Sequence, residues 1–381
     1  MEDTCILAGI PNSLPRLVLK KCISVEDDME DCENRRRVPA IGRRDLMKLG
    51  AGAVMTALSA QRSSAQGPAS RPVSVDVHTH WFPPAFIKGK ADAGAPVTTQ
   101  LIPEDSDLNA RIKWMDAHGI QTHILTLSGN MPWQVVSAEA GVRIAQAVND
   151  AAIEAHQAFP DRFFASVEMP IRDPVAALNE LNRMAGKPGV RAVHLPNSIE
   201  GRDYLFEPAF QPIFARIEEI GYPILFHPID GDANIYIRRL AGAVSLTNAL
   251  GFPFETATIA AKFIVTGTLD KFPKLEIVLP HSGGAFPYIA GRLQHARRNS
   301  NVPPRPIKEY VRRFHYDTMT FYPETLRFLI SLVGIDRLMI GSDNYHGMNV
   351  DEPNALVESL NLPAADRDRI LFGNARRLFR L

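Results

Sequence analysis

Short apolar segments rich in β-branched residues alternate with longer segments of helical periodicity from Val73 onward, and each short segment ends in a polar or glycine-bearing turn. The predicted strands, eight in all, are Val73–His78, Thr122–Leu127, Phe163–Val167, Arg191–Leu195, Pro223–His227, Glu276–Leu279, Phe314–Tyr316 and Leu338–Ile340. The predicted helices between them are Leu108–His118, Glu139–Phe159, Pro174–Ala185, Glu207–Ile220, Phe254–Thr266, Tyr288–Asn299 and Pro323–Leu332. This alternation predicts an α/β fold with a parallel sheet, closed into a single (β/α)8 TIM barrel.

Two long connections interrupt the alternation, Trp81–Asp105 after the first strand and Pro228–Gly251 after the fifth. Both follow the carboxyl ends of strands, where TIM barrels place their active sites, so we expect these insertions to cover the site. No G-x-G-x-x-G motif follows the first strand, which removes the main support for a dinucleotide-binding fold.

Residues 1–65 differ from the rest of the chain and are predicted to be a leader, followed by the barrel domain at 66–381. The pair Arg43-Arg44 precedes an apolar run, Leu49–Ala60, and small residues suited to a signal peptidase then follow at 63–65. This order is typical of a twin-arginine signal peptide, and the run is shorter than the roughly twenty residues of a permanent membrane anchor. We therefore expect export to the periplasm by the twin-arginine machinery. An amphipathic first helix is the alternative, and Met29 competes with Met1 as the start.

The composition limits the expected class of partner and the residue types that could bind a metal. Lys plus Arg and Asp plus Glu number 42 each, so no charge excess indicates nucleic acid or an anionic membrane surface, and a small molecule is the expected partner. The cysteines, Cys5, Cys22 and Cys32, all lie in the leader. Any metal in the barrel domain must therefore be bound by histidine and carboxylate.

Histidines and an aspartate follow three of the predicted strands. The period of a strand places Asp76, His78 and His80 on one side, towards the barrel mouth, while His227 ends the fifth strand and Asp343 follows the eighth. Each also has a structural interpretation: His78 and His80 as a pair on an exposed strand, His227 as an interior histidine, and Asp343 as a helix cap. Their joint occurrence at the carboxyl ends of strands predicts a catalytic divalent ion bound by His78, His80, His227 and Asp343. Zinc is the expected ion, manganese is the alternative, and no organic cofactor is expected.

His281 ends the sixth strand in the segment Pro280-His281-Ser282-Gly283-Gly284. A histidine beside a metal can take or return a proton, because its pKa lies near the working pH. We therefore predict a catalytic role for His281, and a turn histidine is the alternative.

These segments together resemble the amidohydrolase superfamily and, within it, the branch of aminocarboxymuconate-semialdehyde decarboxylase. The resemblance is carried by segments 75–80, 223–228, 252–257 and 340–343 and above all by His281 to Arg292, HSGGAFPYIAGR. It implies the same metal ligands and His281 as the histidine that activates water at the metal. The fourth strand ends in His194-Leu195-Pro196 without the bridging lysine of two-metal relatives, which implies one ion.

The resemblance also implies a reaction: release of carbon dioxide from an aromatic or unsaturated carboxylic acid, with Asp343 or His281 returning a proton to carbon. The alternative is a metal-dependent hydrolase of an amide, ester or lactone. A binding protein with a degraded site is a third possibility, against which the intact ligand set argues.

Several residues are candidates for substrate contact. Arg292 lies eleven residues after His281, and the resemblance implies that it reaches into the partner's site in a homodimer; a solvated surface arginine is the alternative. Val97–Asp107 lacks the arginine that the namesake decarboxylase is expected to use on a substrate carboxylate. Asn344-Tyr345-His346 stands where the family more often has an aromatic or proline-containing run. A phenolic acid is therefore favoured as the substrate. Trp81 and His346 are further substrate-binding candidates. Trp81, Phe82 and Trp133 either line the pocket or pack in the core.

Overall fold

The computed structural model describes residues 73–97, 101–229, 236, 239–240, 246–298, 300, 302–345 and 348–381. The predicted leader, most of the predicted insertion after the fifth strand, and His346 lie outside these residues.

Eight parallel strands lie in the order in which they occur along the chain. They are β1 (Ser74–Asp76), β2 (Ile120–Leu125), β3 (Phe163–Glu168), β4 (Val190–Pro196), β5 (Ile224–His227), β6 (Ile277–Leu279), β7 (Phe314–Asp317) and β8 (Leu338–Met339). A parallel bridge between Asp76 and Ile340 joins the first strand to the last. The predicted TIM barrel is therefore confirmed.

The α-helices that the structure describes surround and cover this barrel. They are α1 (Pro84–Asp92), α2 (Pro103–Ser106), α3 (Leu108–Ala117), α4 (Ala138–Ala158), α5 (Pro174–Met184), α6 (Gln211–Ile220), α7 (Phe252–Val265), α8 (Thr268–Lys271), α9 (Phe286–Arg297), α10 (Ile307–Val311), α11 (Pro323–Val333), α12 (Pro353–Glu358), α13 (Ala364–Asp368) and α14 (Asn374–Phe379). Three begin at side chains that accept backbone N–H groups, Asp107, Ser137 and Asp173. Within the described ranges, no helix is both long and apolar enough to span a bilayer.

The barrel interior is filled by side chains from β1 to β6 and from β8. Val75 and Val77 pack there with Ile124, Leu225 and Met339. Asp76, between them in the sequence, contacts His123 and Ser342 instead, and its side chain is fully buried. The prediction that Asp76 shares a side with His78 is therefore wrong, because the regular strand ends at Asp76 and the following residues no longer alternate.

Candidate metal centre

Four side chains converge at the carboxyl end of the barrel. One ligand atom each from His78, His227, His281 and Asp343 lies within 4.8 Å of the others. His80 is held beside them, with its Nε2 at 2.6 Å from Oδ1 of Asp343. The structure thus brings together all the predicted ligands and the predicted catalytic histidine.

The imidazoles of His78 and His227 are oriented by bonds on the side away from this cluster. Nδ1 of His78 donates to Oδ2 of Asp317 at 2.7 Å, and Nδ1 of His227 donates to the carbonyl oxygen of Pro228 at 2.6 Å. In the neutral form of each ring the lone pair is therefore on Nε2, and neither Nε2 makes a hydrogen bond among the described residues, although that of His78 lies 3.2 Å from Oδ1 of Asp343. Buried nitrogens with a fixed lone pair and no partner fit a divalent ion.

The electrostatics of the cluster favour a cation. Burial lowers the pKa of His78, but the nearby carboxylates of Asp343 and Asp317 outweigh it and raise that pKa to about 10. Burial raises the pKa of Asp343, yet His78 and His80 hold it well below its usual value. Burial and the charge of His78 lower the pKa of His281 to about 4. The cluster thus stabilises one positive charge beside Asp343, whereas the ring of His281 stays neutral.

His281 stands on a tight turn between β6 and α9. Its φ is 52° and that of Ser282 is 57°, and Gly283 and Gly284 continue the turn at 78° and 57°. This left-handed run directs the His281 ring to the mouth, where its side chain is 13% exposed against 3–8% for the other four. Of the cluster, His281 is the side chain best placed to meet a substrate.

A cavity of about 270 Å³ lies beside His281 and Asp343. Its wall is mainly apolar, with Phe252, Phe321 and Met319 prominent, and its polar members include Thr320. The described lining residues include no lysine or arginine. The cavity therefore suits a flat, largely apolar molecule whose polar end faces the cluster.

Arg111 supports the segment that carries His78 and His80 from the side away from the cluster. Its guanidinium is fully buried and donates to Oγ1 of Thr79 at 2.9 Å and to the carbonyl oxygen of His80. It also contacts Nδ1 of His123 and lies 4.9 Å from the ring centroid of Tyr345. Sequence reasoning missed Arg111, whose position on α3 carries no signal of this contact.

The remaining predicted site residues lie elsewhere. Trp81 and Trp133 are 3% and 0% exposed and pack in the hydrophobic core, which is the second of the two placements considered for them. Arg292 is exposed on α9 and forms no ion pair within the described part of its own chain. The roles of Trp81, Arg292 and His346 in substrate binding stay predictions.

The amidohydrolase family matches residues 75–381, and the chain belongs to this family. The gamma-resorcylate decarboxylase of Rhizobium sp. strain MTP-10005 is 32% identical over 288 residues, covering 72% of this chain and 87% of the relative. The 2-amino-3-carboxymuconate-6-semialdehyde decarboxylase of Dictyostelium discoideum is 24% identical over 331 residues, covering 80% and 91%. A crystal structure of a dihydroxybenzoic acid decarboxylase from Polaromonas sp. JS666, with bound manganese and the inhibitor 2-nitroresorcinol, is similar with a TM-score of 0.71 at 26% identity, covering 81% and 97%.

These similarities confirm the predicted superfamily and branch. They also decide between the two predicted reactions, because the relatives are decarboxylases: the chain is a metal-dependent decarboxylase of the amidohydrolase superfamily. The cluster and the manganese of the solved relative support one divalent ion, as predicted.

Proposed function

We propose that this enzyme removes carbon dioxide from a hydroxybenzoic acid. The observation that carries this is the apolar cavity, which opens directly on His281 and Asp343 and is lined by flat and flexible apolar side chains. The gamma-resorcylate and dihydroxybenzoic acid decarboxylases support the same class of substrate. In the reaction, the bond between the ring and the carboxylate breaks, the electron pair stays on the ring carbon, and that carbon takes up one proton.

The single ion is manganese in this proposal, although the ligands alone favoured zinc. Three imidazoles and one carboxylate leave positions for oxygen atoms of the substrate, and an environment with several oxygen ligands suits manganese. The solved relative with bound manganese supports this choice. When bound, the ion would polarise the substrate oxygens and stabilise the charge that develops on them.

The chain's own residues divide the remaining work. His78, His80, His227 and Asp343 hold the ion, and the apolar wall excludes water from the ring. His281, the most exposed of the five, passes a proton from solvent to the ring carbon; its imidazole is neutral before this step, and Asp343, 3.9 Å from its Nε2, can stabilise the protonated imidazole. This assignment needs no organic cofactor.

A homodimer completes the site in this proposal. The described lining of the cavity holds no cation, and Arg292 is exposed on α9 without a partner among the described residues of its own chain. A guanidinium from the neighbouring subunit would supply the missing cation, and its planar fork binds a carboxylate through two hydrogen bonds.

The test is an assay of the purified, metal-loaded protein with 2,6-dihydroxybenzoate in D₂O. We expect release of carbon dioxide and one deuterium at the vacated ring carbon, loss of activity after chelation, and recovery with one equivalent of manganese per chain. 3-Hydroxybenzoate, which lacks a hydroxyl beside the carboxylate, is the matched control and should react more slowly. Hydrolysis of phenyl acetate or a lactone without release of carbon dioxide would overturn the proposal, and recovery with zinc alone would correct the metal.

We also propose that the enzyme works in the periplasm after twin-arginine export. The support is the pair Arg43-Arg44 followed by the apolar run Leu49–Ala60. A reporter fused after Gly67 should reach the periplasm, and replacement of both arginines by lysine should keep it in the cytoplasm. Unaltered export of the double-lysine variant would contradict this route.

A further inference from the structure

We propose that Asp317, at the end of β7, is a positioning residue whose two carboxylate oxygens hold the metal ligand His78 and the turn that carries His281 in one fixed geometry. The proposal rests on the metal-dependent reaction described above. Asp317 itself is not among the predicted ligands, and its side chain is 1% exposed.

Oδ2 of Asp317 serves both parts of the site. It accepts a hydrogen bond from Nδ1 of His78 at 2.7 Å and one from the backbone N–H of His281 at 2.8 Å. A carboxylate only accepts, so the proton of the His78 ring must be on Nδ1. The lone pair of that ring is then on Nε2, which faces Asp343 at 3.2 Å. The carboxylate thereby selects the metal-binding nitrogen.

Oδ1 of Asp317 binds the next part of the turn. It accepts from the backbone N–H of Ser282 at 2.6 Å and from that of Met319 at 3.2 Å. The hydroxyl of Ser282 in turn donates to the backbone carbonyl of Asp317 at 3.1 Å. Successive backbone N–H groups of the turn thus donate to a single carboxylate, which holds the turn in place.

The turn needs such an anchor because its backbone is unfavourable. His281 and Ser282 both have positive φ although they carry side chains, a conformation in which Cβ crowds the following carbonyl oxygen. Successive N–H groups in this kind of turn form a concave site for an anion, and here the carboxylate of Asp317 fills it. The position of the His281 ring therefore depends on the charge of Asp317.

The close approach of His78 to Asp317 also depends on Gly341, two residues after the end of β8. A Cβ on Gly341 would lie 2.6 Å from Cβ of Asp317 and 3.0 Å from Cβ of His78. Only a residue without a side chain lets the ligand and the carboxylate approach here. The end of β7 and the segments that follow β6 and β8 therefore form one coupled unit.

Replacement Asp317→Asn tests the coupling because it keeps the shape and removes one acceptor. Asparagine has one acceptor oxygen, which can face either His78 or Ser282. The NH₂ group then takes the other position, where it meets an N–H donor instead of supplying an acceptor. If it faces His78, the ring proton moves to Nε2 and blocks the metal-binding atom. If it faces Ser282, the turn loses its anchor, and the Nδ1 proton of His78 rests on a neutral oxygen that no longer raises the basicity of Nε2. We expect the dissociation constant for manganese, measured by competition with a chelator, to rise by roughly tenfold to a hundredfold.

At saturating manganese, kcat of Asp317→Asn should still fall by about tenfold or more, with KM changed less, because His281 is displaced. Glu180→Gln is the matched control: Glu180 is a 2% exposed carboxylate on α5 that accepts an N–H bond from Asn149 at 2.7 Å, outside the site. Its manganese affinity and kcat should stay within about twofold of the wild type. The affinity measurement needs no substrate, so it tests Asp317 even if the proposed substrate is wrong.

Wild-type manganese affinity in folded Asp317→Asn would overturn the proposal, as would an equal loss of affinity in Glu180→Gln. If Asp317→Asn does not fold, ¹⁵N spectra of the wild-type protein loaded with zinc decide instead. The Nδ1 of His78 should then carry the proton and the Nε2 should bind zinc. Zinc on Nδ1 of His78 would overturn the proposal.

Discussion

His281 and the four predicted ligands lie close enough that geometry alone allows His281 to bind the metal or to move a proton. His281 is the most exposed of the five, and it lines the cavity together with Asp343. A proton donor must reach the substrate, whereas a ligand is best enclosed. We therefore expect the substitution His281→Asn to act on the rate and to leave the metal in place.

For His281→Asn we expect kcat to fall by roughly a hundredfold or more, the usual contribution of general acid–base catalysis. Metal content after dialysis should equal that of the wild type, and Asp343→Ala is the comparison that should lose metal and activity together. Loss of metal from His281→Asn would make His281 a ligand. An unchanged rate would reduce it to a turn residue.

Among single residues, the sequence predicts the side chains that converge on the proposed metal site and misses those that hydrogen-bond to them from behind. His78, His227 and Asp343 carry recognisable chemistry at strand ends, so one sequence is enough to find them. Asp317 contacts a residue 239 positions away, and nothing local marks that contact. The predicted seventh strand stops at Tyr316; one more residue would have placed Asp317 at the catalytic end of the barrel.

The turn after β6 packs directly on the first turn of α7. The N–H of Ala285 donates to the carbonyl oxygen of Pro253 at 3.2 Å, and Gly284 lies beside that oxygen with φ of 57°. A Cβ on Gly284 would lie 2.1 Å from the oxygen of Pro253, so backbone would have to move. The position of the turn thus depends on a glycine as well as on Asp317.

Gly284→Ala should therefore lower the free energy of unfolding by about 1–3 kcal/mol and reduce kcat, because the turn that bears His281 shifts. Gly291→Ala is the matched control on α9, where nothing lies within 4 Å of the added Cβ. That variant should be as stable as the wild type or more stable by up to about 1 kcal/mol, since alanine favours a helix. Thermal or urea unfolding measures both, and equal stability of the two variants would contradict the packing argument.

Element types follow from periodicity, but element ends depend on local chemistry. The predicted helices Phe254–Thr266 and Tyr288–Asn299 begin two residues earlier in the structure, as α7 and α9, with a proline in the first turn of each. Proline is well suited to that place because its missing N–H has no helical partner there. The first insertion contains α1 and most of α2, helices that were not predicted from its sequence.

On the outside of the barrel, α9 and α11 expose two aromatic rings side by side. Tyr288 on α9 is 84% exposed and Phe328 on α11 is 45% exposed, with ring centroids 6.5 Å apart, and Tyr322 nearby in the sequence is 70% exposed. Exposed aromatic rings grouped in this way mark protein interfaces. Arg292 lies one helical turn after Tyr288, so a second copy packed on this face would receive the arginine.

A homodimer with shared sites can be tested by mixing two inactive variants, Arg292→Ala and His281→Ala, and letting the subunits exchange. A hybrid dimer has one site with both residues substituted and one with both intact. With equal amounts and random exchange, roughly a quarter of all sites should be intact, and activity should recover in that proportion. Mass spectrometry of the intact dimers measures the hybrid fraction independently. Hybrid dimers without activity would show that Arg292 serves its own subunit or no site, whereas a protein that is monomeric throughout would remove the shared site altogether.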